Sequence, residues 1–212
     1  VCSLQEGAVV LHCWRGGLRS RSVVGLLRAL GLDRAVGLEG GYKSYRTGVM
    51  GELNEWSCPK AHVLRGLTGV GKTLVLHEIE RLRPGWTLDL EGCAGHRSSL
   101  LGMVGLDPVS QKTFESRMAA RLRQRPEGPL VLEGESRRVG DAVIPAAVWK
   151  VLQGGENLVL RAEMPRRINV LSTDYLAQPE ALPKLREQLV QVEKRMQGTW
   201  DLPGLLDGGR ID

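Results

Sequence analysis

Short apolar runs alternate along the chain with longer segments whose apolar residues follow helical spacing. The short runs are flanked by glycine or polar residues and predict buried strands of the parallel type. They occupy positions 8–11, 35–38, 61–64, 86–90 and 129–132. Helical spacing follows the first run over positions 23–30 and the third over positions 74–82. Strands that alternate with helices in this way predict an α/β fold with a parallel sheet.

Particular residues mark the ends of these predicted elements. Ser20 is a suitable N-cap for the first helix, and Gly31 suits the left-handed position just after that helix. A second helix is predicted from Ser44 into Leu53. The first part of the chain is therefore predicted to be strand, loop, helix, strand and helix.

The chain divides at positions 54–60, where the periodicity is lost and Pro59 interrupts the pattern. This segment is predicted to be a linker between one domain over residues 1–53 and a second over residues 61–212.

The carboxyl-terminal part of the second domain is predicted to be helical and then disordered. From Pro179 onward, apolar residues such as Leu185 and Leu189 recur at helical spacing and predict a long amphipathic helix. Its apolar stripe is expected to pack into the core and not against a partner. The glycine-rich tail from Gly198 is predicted to be disordered.

Composition narrows the class of protein. The chain has 212 residues, 42% of them hydrophobic, and no apolar run approaches the roughly 20 residues of a membrane span. No signal peptide is visible, and four widely spaced cysteines without a Cys-x-x-Cys pair indicate neither zinc nor disulfides. A cytoplasmic location without a membrane partner is expected. The net charge of +5, carried mainly by arginine, suits a polyanionic partner, although such arginines are as often a solvated helix face.

The segment His-Cys-Trp-Arg-Gly-Gly-Leu-Arg-Ser at positions 12–20 has the composition of an anion-binding loop. It follows a predicted strand and precedes a predicted helix, so backbone N–H groups should face its centre, where Arg15 and Arg19 add positive charge. Such a field favours the thiolate of Cys13 and would also hold a tetrahedral oxyanion. The pattern is similar both to the phosphate loop of cysteine phosphatases and to the loop of rhodanese domains. A simply buried cysteine is the alternative.

A second glycine-rich loop, Gly-Leu-Thr-Gly-Val-Gly-Lys-Thr at positions 66–73, matches the P-loop pattern G-x-x-x-x-G-K-[ST]. A strand is predicted before it and a helix after it, as that pattern requires. The glycines let backbone N–H groups surround a diphosphate, Lys72 pairs with its oxygens and Thr73 is placed to ligate magnesium. The predicted phosphate-binding residues are Gly66, Thr68, Gly69, Gly71, Lys72 and Thr73.

Acidic residues end the next two predicted strands of the second domain. Glu91 follows the run at 86–90, and Glu133 and Glu135 follow the run at 129–132. Carboxylates at strand ends beside a P-loop can hold a metal ion or contact substrate. Carboxylates that stabilise a helix N-terminus are the alternative. His96 and Arg97 lie in a Gly- and Ser-rich loop and are candidate substrate contacts.

Taken together and in this order, these motifs resemble tRNA 2-selenouridine synthase, a family that fuses a rhodanese domain to a P-loop domain. The likeness rests on Cys-Trp-Arg-Gly-Gly-Leu-Arg, Gly-Gly-Tyr-Lys, the P-loop, Asp-Leu-Glu-Gly with His96-Arg97, Glu-x-Glu-Ser-Arg ending at Arg137, and Asp-Tyr preceded by Arg167. The resemblance implies a partial rhodanese-like domain followed by a P-loop NTPase-like three-layer parallel-sheet domain. Arg137 and Arg167 become candidate substrate contacts, and the sequence is expected to be a partial chain.

The resemblance also implies a chemistry. The family exchanges the sulfur of wobble 2-thiouridine in tRNA for selenium from selenophosphate, after geranylation of that sulfur by geranyl diphosphate. Cys13 is then expected to attack selenium and carry it to the uridine, with tRNA and a selenophosphate-supplying enzyme as partners. The identity of the P-loop diphosphate stays open between a nucleotide and a prenyl diphosphate.

Two other functions are compatible with the sequence. One is a cysteine-dependent phosphatase fused to a P-loop kinase, although no general-acid aspartate directly follows the Cys13 segment. The other is a truncated, non-catalytic relative that only binds nucleotide or RNA.

Overall fold

The computed structural model describes residues 7–176, 179–196 and 200–208, which form two compact units with a boundary between Glu52 and Leu53. The strands are β1 (Val9–Leu11), β2 (Ala35–Gly37), β3 (Ala61–Arg65), β4 (Thr87–Leu88), β5 (Leu130–Glu133), β6 (Arg138–Val139), β7 (Ala142–Val143) and β8 (Glu156–Val159). The helices are α1 (Leu18–Ala29), α2 (Gly41–Glu55), α3 (Lys72–Leu82), α4 (Leu90–Ala94), α5 (Gln111–Arg123), α6 (Ala146–Gly154), α7 (Met164–Leu176), α8 (Leu182–Met196) and α9 (Leu202–Asp207).

The first unit contains a two-stranded parallel sheet. β1 pairs with β2 in a register that places Val9 beside Ala35, and α1 makes the crossover between them. Val24, Ala35 and Val49 are buried, whereas apolar side chains of α1 such as Leu26 are exposed. The predicted strands are confirmed, and they deliver Cys13 to the carboxyl end of β1.

Two predicted helix starts in the first unit are wrong. Ser20 is not the N-cap of α1, because the helix begins at Leu18 with Gly17 at the N-cap position, and the buried Ser20 lies inside the first turn. The second helix begins at Gly41, three residues before Ser44, because glycine admits the positive φ of this turn. Gly31 has a φ of +87° just after α1, as predicted.

The second unit is built on a four-stranded parallel sheet in the order β4-β5-β3-β8. β5 is buried along its whole length and β3 over most of its length, whereas the edge strand β8 is exposed. Leu64 of β3 packs with Val131 of β5 and Leu76 of α3. β4 is shorter than the predicted strand, because the Asp89 carboxylate accepts a hydrogen bond from Gly92 N–H at 2.7 Å and starts α4. Parallel strands place the loops that follow β3, β4 and β5 at one edge of the sheet.

The carboxyl-terminal helices form a smaller core. Leu185 of α8 packs with Val104 and Ala181, which confirms the predicted role of the apolar stripe. The prediction of a disordered tail is wrong where the tail is described: α9 has an Asp201 side-chain cap and pairs with α8 through Arg186 and Asp207 at 2.9 Å. Residues 197–199 and 209–212 lie outside the described residues. None of the helices in the described ranges combines the length and low charge needed to cross a bilayer.

Candidate functional site

The Cys13 loop, residues 13–19, leaves the end of β1 and runs into the first turn of α1. Gly16 has a φ of +64°, and a Cβ there would lie 2.7 Å from the Leu38 carbonyl oxygen. Gly41 has a φ of +63°, and its Cβ would collide with the Cys13 carbonyl oxygen and the Gly16 nitrogen. The Tyr42 N–H donates to that same carbonyl at 2.9 Å. Glycines at both positions are therefore needed for the loop to close against the start of α2.

The sulfur of Cys13 lies where several donors converge. The Gly17 N–H donates to Sγ at 3.2 Å, and the Ser20 hydroxyl lies 3.4 Å from Sγ. The Ser20 hydroxyl is the largest cause of a lowered pKa, and the backbone N–H groups of Arg15, Gly17 and Ser20 add to it, while partial burial opposes them. The pKa of Cys13 falls to about 6. The thiolate is therefore the major form at neutral pH and is available as a nucleophile.

A cavity of about 430 Å³ opens above this sulfur. Arg15 and Arg19 are exposed and line it together with Trp14, Gly17 and Leu18. The cavity combines an ionised nucleophile with two guanidinium groups, which suits a small anion with several oxygen atoms.

The Gly66 loop, residues 66–73, leaves the end of β3 and runs into α3. Gly66, Gly69 and Gly71 have φ values of +148°, +81° and +91°. A Cβ on Gly69 would lie 2.7 Å from the Arg167 carbonyl oxygen of α7. The Lys72 side chain folds back over the loop, and its ammonium group donates a hydrogen bond to the Gly66 carbonyl at 3.3 Å. All six predicted phosphate-binding residues line a cavity of about 540 Å³ at the start of α3.

Three carboxylates meet beside this cavity. One oxygen from each of Glu91, Glu133 and Glu135 lies within 4.8 Å of the others. Glu133 is fully buried, and neither of its oxygens has a hydrogen-bond partner of sound geometry among the described residues. Burial raises the pKa of Glu133 to about 8, with the charge of Glu91 adding to it and the Thr73 hydroxyl opposing it.

Glu91 has a similar environment. Burial raises its pKa to about 7, opposed by a hydrogen bond from the Ser98 N–H and increased by the charge of Glu135. Three crowded carboxylates next to a hydroxyl form the ligand set that a hard divalent cation prefers. The residues present therefore fit a magnesium ion.

α7 forms a wall of the Gly66 cavity. Arg167 donates from Nε to the Thr68 carbonyl at 3.0 Å and so ties α7 to the loop. Arg97 donates to the carbonyls of Val104 at 2.8 Å and Asp174 at 3.2 Å, and its guanidinium lies 5.0 Å from the centre of the Tyr175 ring. Arg97 thus positions the loop after α4 against α7 while it lines the cavity.

A second cavity of about 720 Å³ shares Thr68, Ser98, Leu171 and Tyr175 with the first. Its further lining is mainly apolar, with Leu100, Leu101, His96, Arg138 and Val192 among its residues. A diphosphate held by the Gly66 loop therefore has an apolar space beside it.

The profile of the tRNA 2-selenouridine synthase AAA domain matches residues 59–200, which is most of the chain. The chain belongs to the tRNA 2-selenouridine synthase family.

Proteins named tRNA 2-selenouridine synthase are similar to this chain over most of its length. The protein of this name from Pseudomonas syringae pv. tomato is 37% identical over 171 residues, 78% of this chain and 45% of that protein. Those from Marinobacter nauticus and Nitrosomonas europaea are 34% and 31% identical, over 78% and 81% of this chain and 45% of each relative. The chain thus spans about 45% of the length of these curated relatives. No solved structure matches it.

The structure distributes the predicted site residues among three cavities and their surroundings. Cys13, Arg15 and Arg19 share the first unit's cavity, while Glu91, Glu135 and Arg97 line the Gly66 cavity with the six loop residues. Glu133 lies buried behind it. His96 lines the apolar cavity, and its buried Nδ1 has no hydrogen-bond partner in the part of the chain that the structure describes. Arg137 and Arg167 are not among the described residues that line either cavity of the second unit.

Two polar groups at these sites were not predicted from the sequence. His77 lines the Gly66 cavity and lies 3.2 Å from the Asp89 carboxylate. It follows Thr73 by four residues on α3, so helical spacing could have placed it on the same face. Ser20 was predicted to be a helix N-cap. It follows Cys13 by seven residues, and the first turn of α1 brings its hydroxyl to 3.4 Å from the sulfur.

Proposed function

We propose that this chain is the part of a tRNA-modifying transferase that replaces the sulfur of wobble 2-thiouridine by selenium. The observation that carries the proposal is the pairing, in one member of this family, of a low-pKa thiol in an anion loop with a lysine-bearing glycine loop. Its co-substrates are geranyl diphosphate and selenophosphate, and a selenophosphate-supplying enzyme is a partner. The first unit serves as the rhodanese-like part.

The Gly66 loop takes geranyl diphosphate in this proposal. Backbone N–H groups of the loop and the Lys72 ammonium bind the diphosphate, and the apolar cavity lined by Leu100 and Leu171 takes the hydrocarbon chain. The thiocarbonyl sulfur attacks C1 of the geranyl group, a C–S bond forms, and the C–O bond breaks with its electron pair leaving on diphosphate. The base loses its N3 proton, and no redox partner is needed.

Selenophosphate occupies the Cys13 loop. Its tetrahedral, anionic phosphoryl group matches the N–H donors and the arginines Arg15 and Arg19. Selenium bonds to C2 of the base, the geranyl-bearing sulfur leaves as a thiol, and the phosphoryl group ends as phosphate after reaction with water. The exchange therefore balances without oxidant or reductant.

Magnesium is the cation proposed for the carboxylates Glu91, Glu133 and Glu135 beside Thr73. When bound, the ion neutralises the developing charge of the leaving diphosphate. Glu133 supports this assignment, because its buried carboxylate has no hydrogen bond of sound geometry among the described residues, and its charge is costly unless a cation or proton neutralises it. The chain's own share of the step is to orient the diphosphate through Lys72.

The tRNA partner is supported by charge. The net charge of +5 and exposed arginines of the second unit, Arg137, Arg138 and Arg166 among them, attract a polyanionic backbone.

The test is nucleoside mass analysis of tRNA from a deletion strain that carries the full-length gene and is supplied with selenium. The wild type is expected to restore 2-selenouridine. Cys13→Ala is expected to stop at the geranylated nucleoside, and Lys72→Ala to stop at 2-thiouridine. Restoration by neither the wild type nor any variant would instead support a non-catalytic binding role.

A further inference from the structure

The donors of the Cys13 loop are arranged around the sulfur itself. The N–H of Gly17 lies 3.2 Å from Sγ and the Ser20 hydroxyl lies 3.4 Å from it, and the backbone N–H groups of Arg15 and Ser20 also lower the pKa of Cys13. When the three oxygen atoms of a phosphoryl group bind such a ring of donors, the phosphorus lies on the axis of the ring, above Sγ. The fourth substituent of phosphorus then points out of the cavity, away from the sulfur.

The oxidation states of selenium and phosphorus also favour attack on phosphorus. Selenium has the oxidation level of selenide both in selenophosphate and in a 2-selenouridine. Attack of the Cys13 thiolate on selenium would oxidise selenium and leave two electrons on phosphorus, which would depart as phosphite. Attack on phosphorus breaks the P–Se bond with its electron pair on selenium, so no element changes its oxidation level.

We propose that Cys13 is a phosphoryl acceptor: its sulfur attacks the phosphorus of the bound donor and forms an S–P bond as the bond from phosphorus to the leaving atom breaks. Water then attacks the phosphocysteine, the S–P bond breaks, and phosphate leaves with the thiolate restored. The proposal rests on the proposed function only for the identity of the donor as selenophosphate. It replaces the expectation that Cys13 carries selenium.

Ser20 fits the second half of this reaction. Its hydroxyl is buried and lies 3.4 Å from Sγ, where it can donate to the thiolate that leaves phosphorus. Hydrogen selenide is a weak base, so a donor whose selenium already carries a proton releases HSe⁻ from phosphorus without a proton donor from the protein. A general acid is therefore dispensable for this donor, in agreement with a cavity whose lining contains no carboxylate among the described residues.

The experiment incubates the full-length protein with selenophosphate under anaerobic conditions, with and without tRNA. The quenched protein is examined by ³¹P NMR and by peptide mass. The expected result is phosphate in solution and a phosphoryl group on Cys13, and Ser20→Ala should slow breakdown about tenfold, so that the phosphocysteine accumulates. Cys13→Ser should remove the signal, and Cys58→Ala, which alters a buried thiol outside the loop, should retain it.

A second arm uses an activated aryl phosphate, nitrophenyl phosphate, whose nitrophenolate leaving group is also a weak base. Labelling of Cys13 by the aryl phosphate but not by selenophosphate would uphold phosphoryl acceptance and overturn the selenium donor of the proposed function. Selenium on Cys13, phosphite in solution, or no phosphocysteine from either donor would each overturn the inference.

Discussion

Both glycine loops leave the carboxyl end of a parallel strand and enter the first turn of a helix, so each offers backbone N–H groups to an anion. In the Cys13 loop the Ser20 hydroxyl, together with those N–H groups, stabilises the chain's own sulfur as a thiolate and holds the pKa of Cys13 at about 6. Beside the Gly66 loop, burial holds the pKa of Glu133 at about 8 and so favours its protonated form. The Cys13 thiolate is therefore present at neutral pH, whereas the Glu133 carboxyl group ionises only when a cation binds or the pH rises.

The two loops also differ in what holds them in shape. The Gly66 loop follows β3, a central strand of the four-stranded sheet, and Leu64 of β3 and Leu132 of the neighbouring β5 are almost fully buried. The first unit exposes Leu18 and Leu30 at 81% and 74% and has only a two-stranded sheet among its described residues. The shape of the Cys13 loop therefore depends more on close backbone contacts at Gly16 and Gly41 than on a large core.

The largest expected effect is a loss of geranyl transfer, which distinguishes the role of the Gly66 loop from that of the Cys13 loop. Lys72→Ala removes the only charged group contributed by the Gly66 loop itself, and we expect kcat/KM for geranyl transfer to fall about 10²–10³-fold. Phosphorylation of Cys13 by selenophosphate should be unchanged. Lys60→Ala, which removes the same charge outside the loop, is the matched control. A fall of less than about threefold would show that this loop does not hold the diphosphate.

The next effect concerns the free energy of unfolding. Because the folded pKa of Glu133, about 8, lies above its ordinary value of 4.5, its contribution to stability is complete below about pH 4.5 and is lost as pH rises through 8. Glu133→Gln should therefore stabilise the protein by on the order of 2–4 kcal/mol at pH 8 and by under about 1 kcal/mol at pH 5.

Urea unfolding of the variant at both pH values, with and without magnesium, measures this effect. Magnesium should stabilise the wild type at pH 8 and not Glu133→Gln, and Glu127→Gln, at an exposed position, should behave as the wild type. Equal stability of Glu133→Gln and the wild type at pH 8 would contradict the burial argument.

The sequence predicted what depends on local pattern. The apolar runs located β1 to β5 but not β6, β7 or β8, and the strand-loop-helix context placed Cys13 at the end of β1 and the six glycine-loop residues around one cavity. Ser20 was misassigned because serine is a common N-cap, and only the three-dimensional turn shows that its hydroxyl reaches the sulfur.

Tertiary packing decided the rest. Arg97 and Arg167 were predicted to contact substrate because arginine binds anions well. Instead, Arg97 donates a hydrogen bond to the backbone carbonyl of Val104, and Arg167 donates one to that of Thr68. The apolar cavity beside the Gly66 loop joins residues as distant in sequence as Leu100 and Val192, and no local pattern could have grouped them.

A smaller effect is expected from the close contact at Gly41. Gly41→Ala places a Cβ against the Cys13 carbonyl and the Gly16 nitrogen at a φ of +63°, so we expect a loss of about 2 kcal/mol in the free energy of unfolding. Gly48→Ala, in the same helix and with nothing within 4 Å of its Cβ, should stabilise by about 0.5–1 kcal/mol. If both variants unfolded alike in a thermal melt, the loop would not depend on this contact.

The smallest effect is a change in thiol reactivity. The iodoacetamide reaction of Cys13 should rise with pH around a midpoint near 6, because only the thiolate reacts. Ser20→Ala removes the largest cause of the lowered pKa, so the midpoint should move upward to roughly 7, and the rate at pH 6 should fall about fivefold. Ser22→Ala, exposed on the same helix, should leave the profile unchanged. An unchanged midpoint in Ser20→Ala would assign the ionisation to the backbone N–H groups alone and would bring the Cys13 loop closer to the Gly66 loop, which offers its backbone N–H groups to an anion.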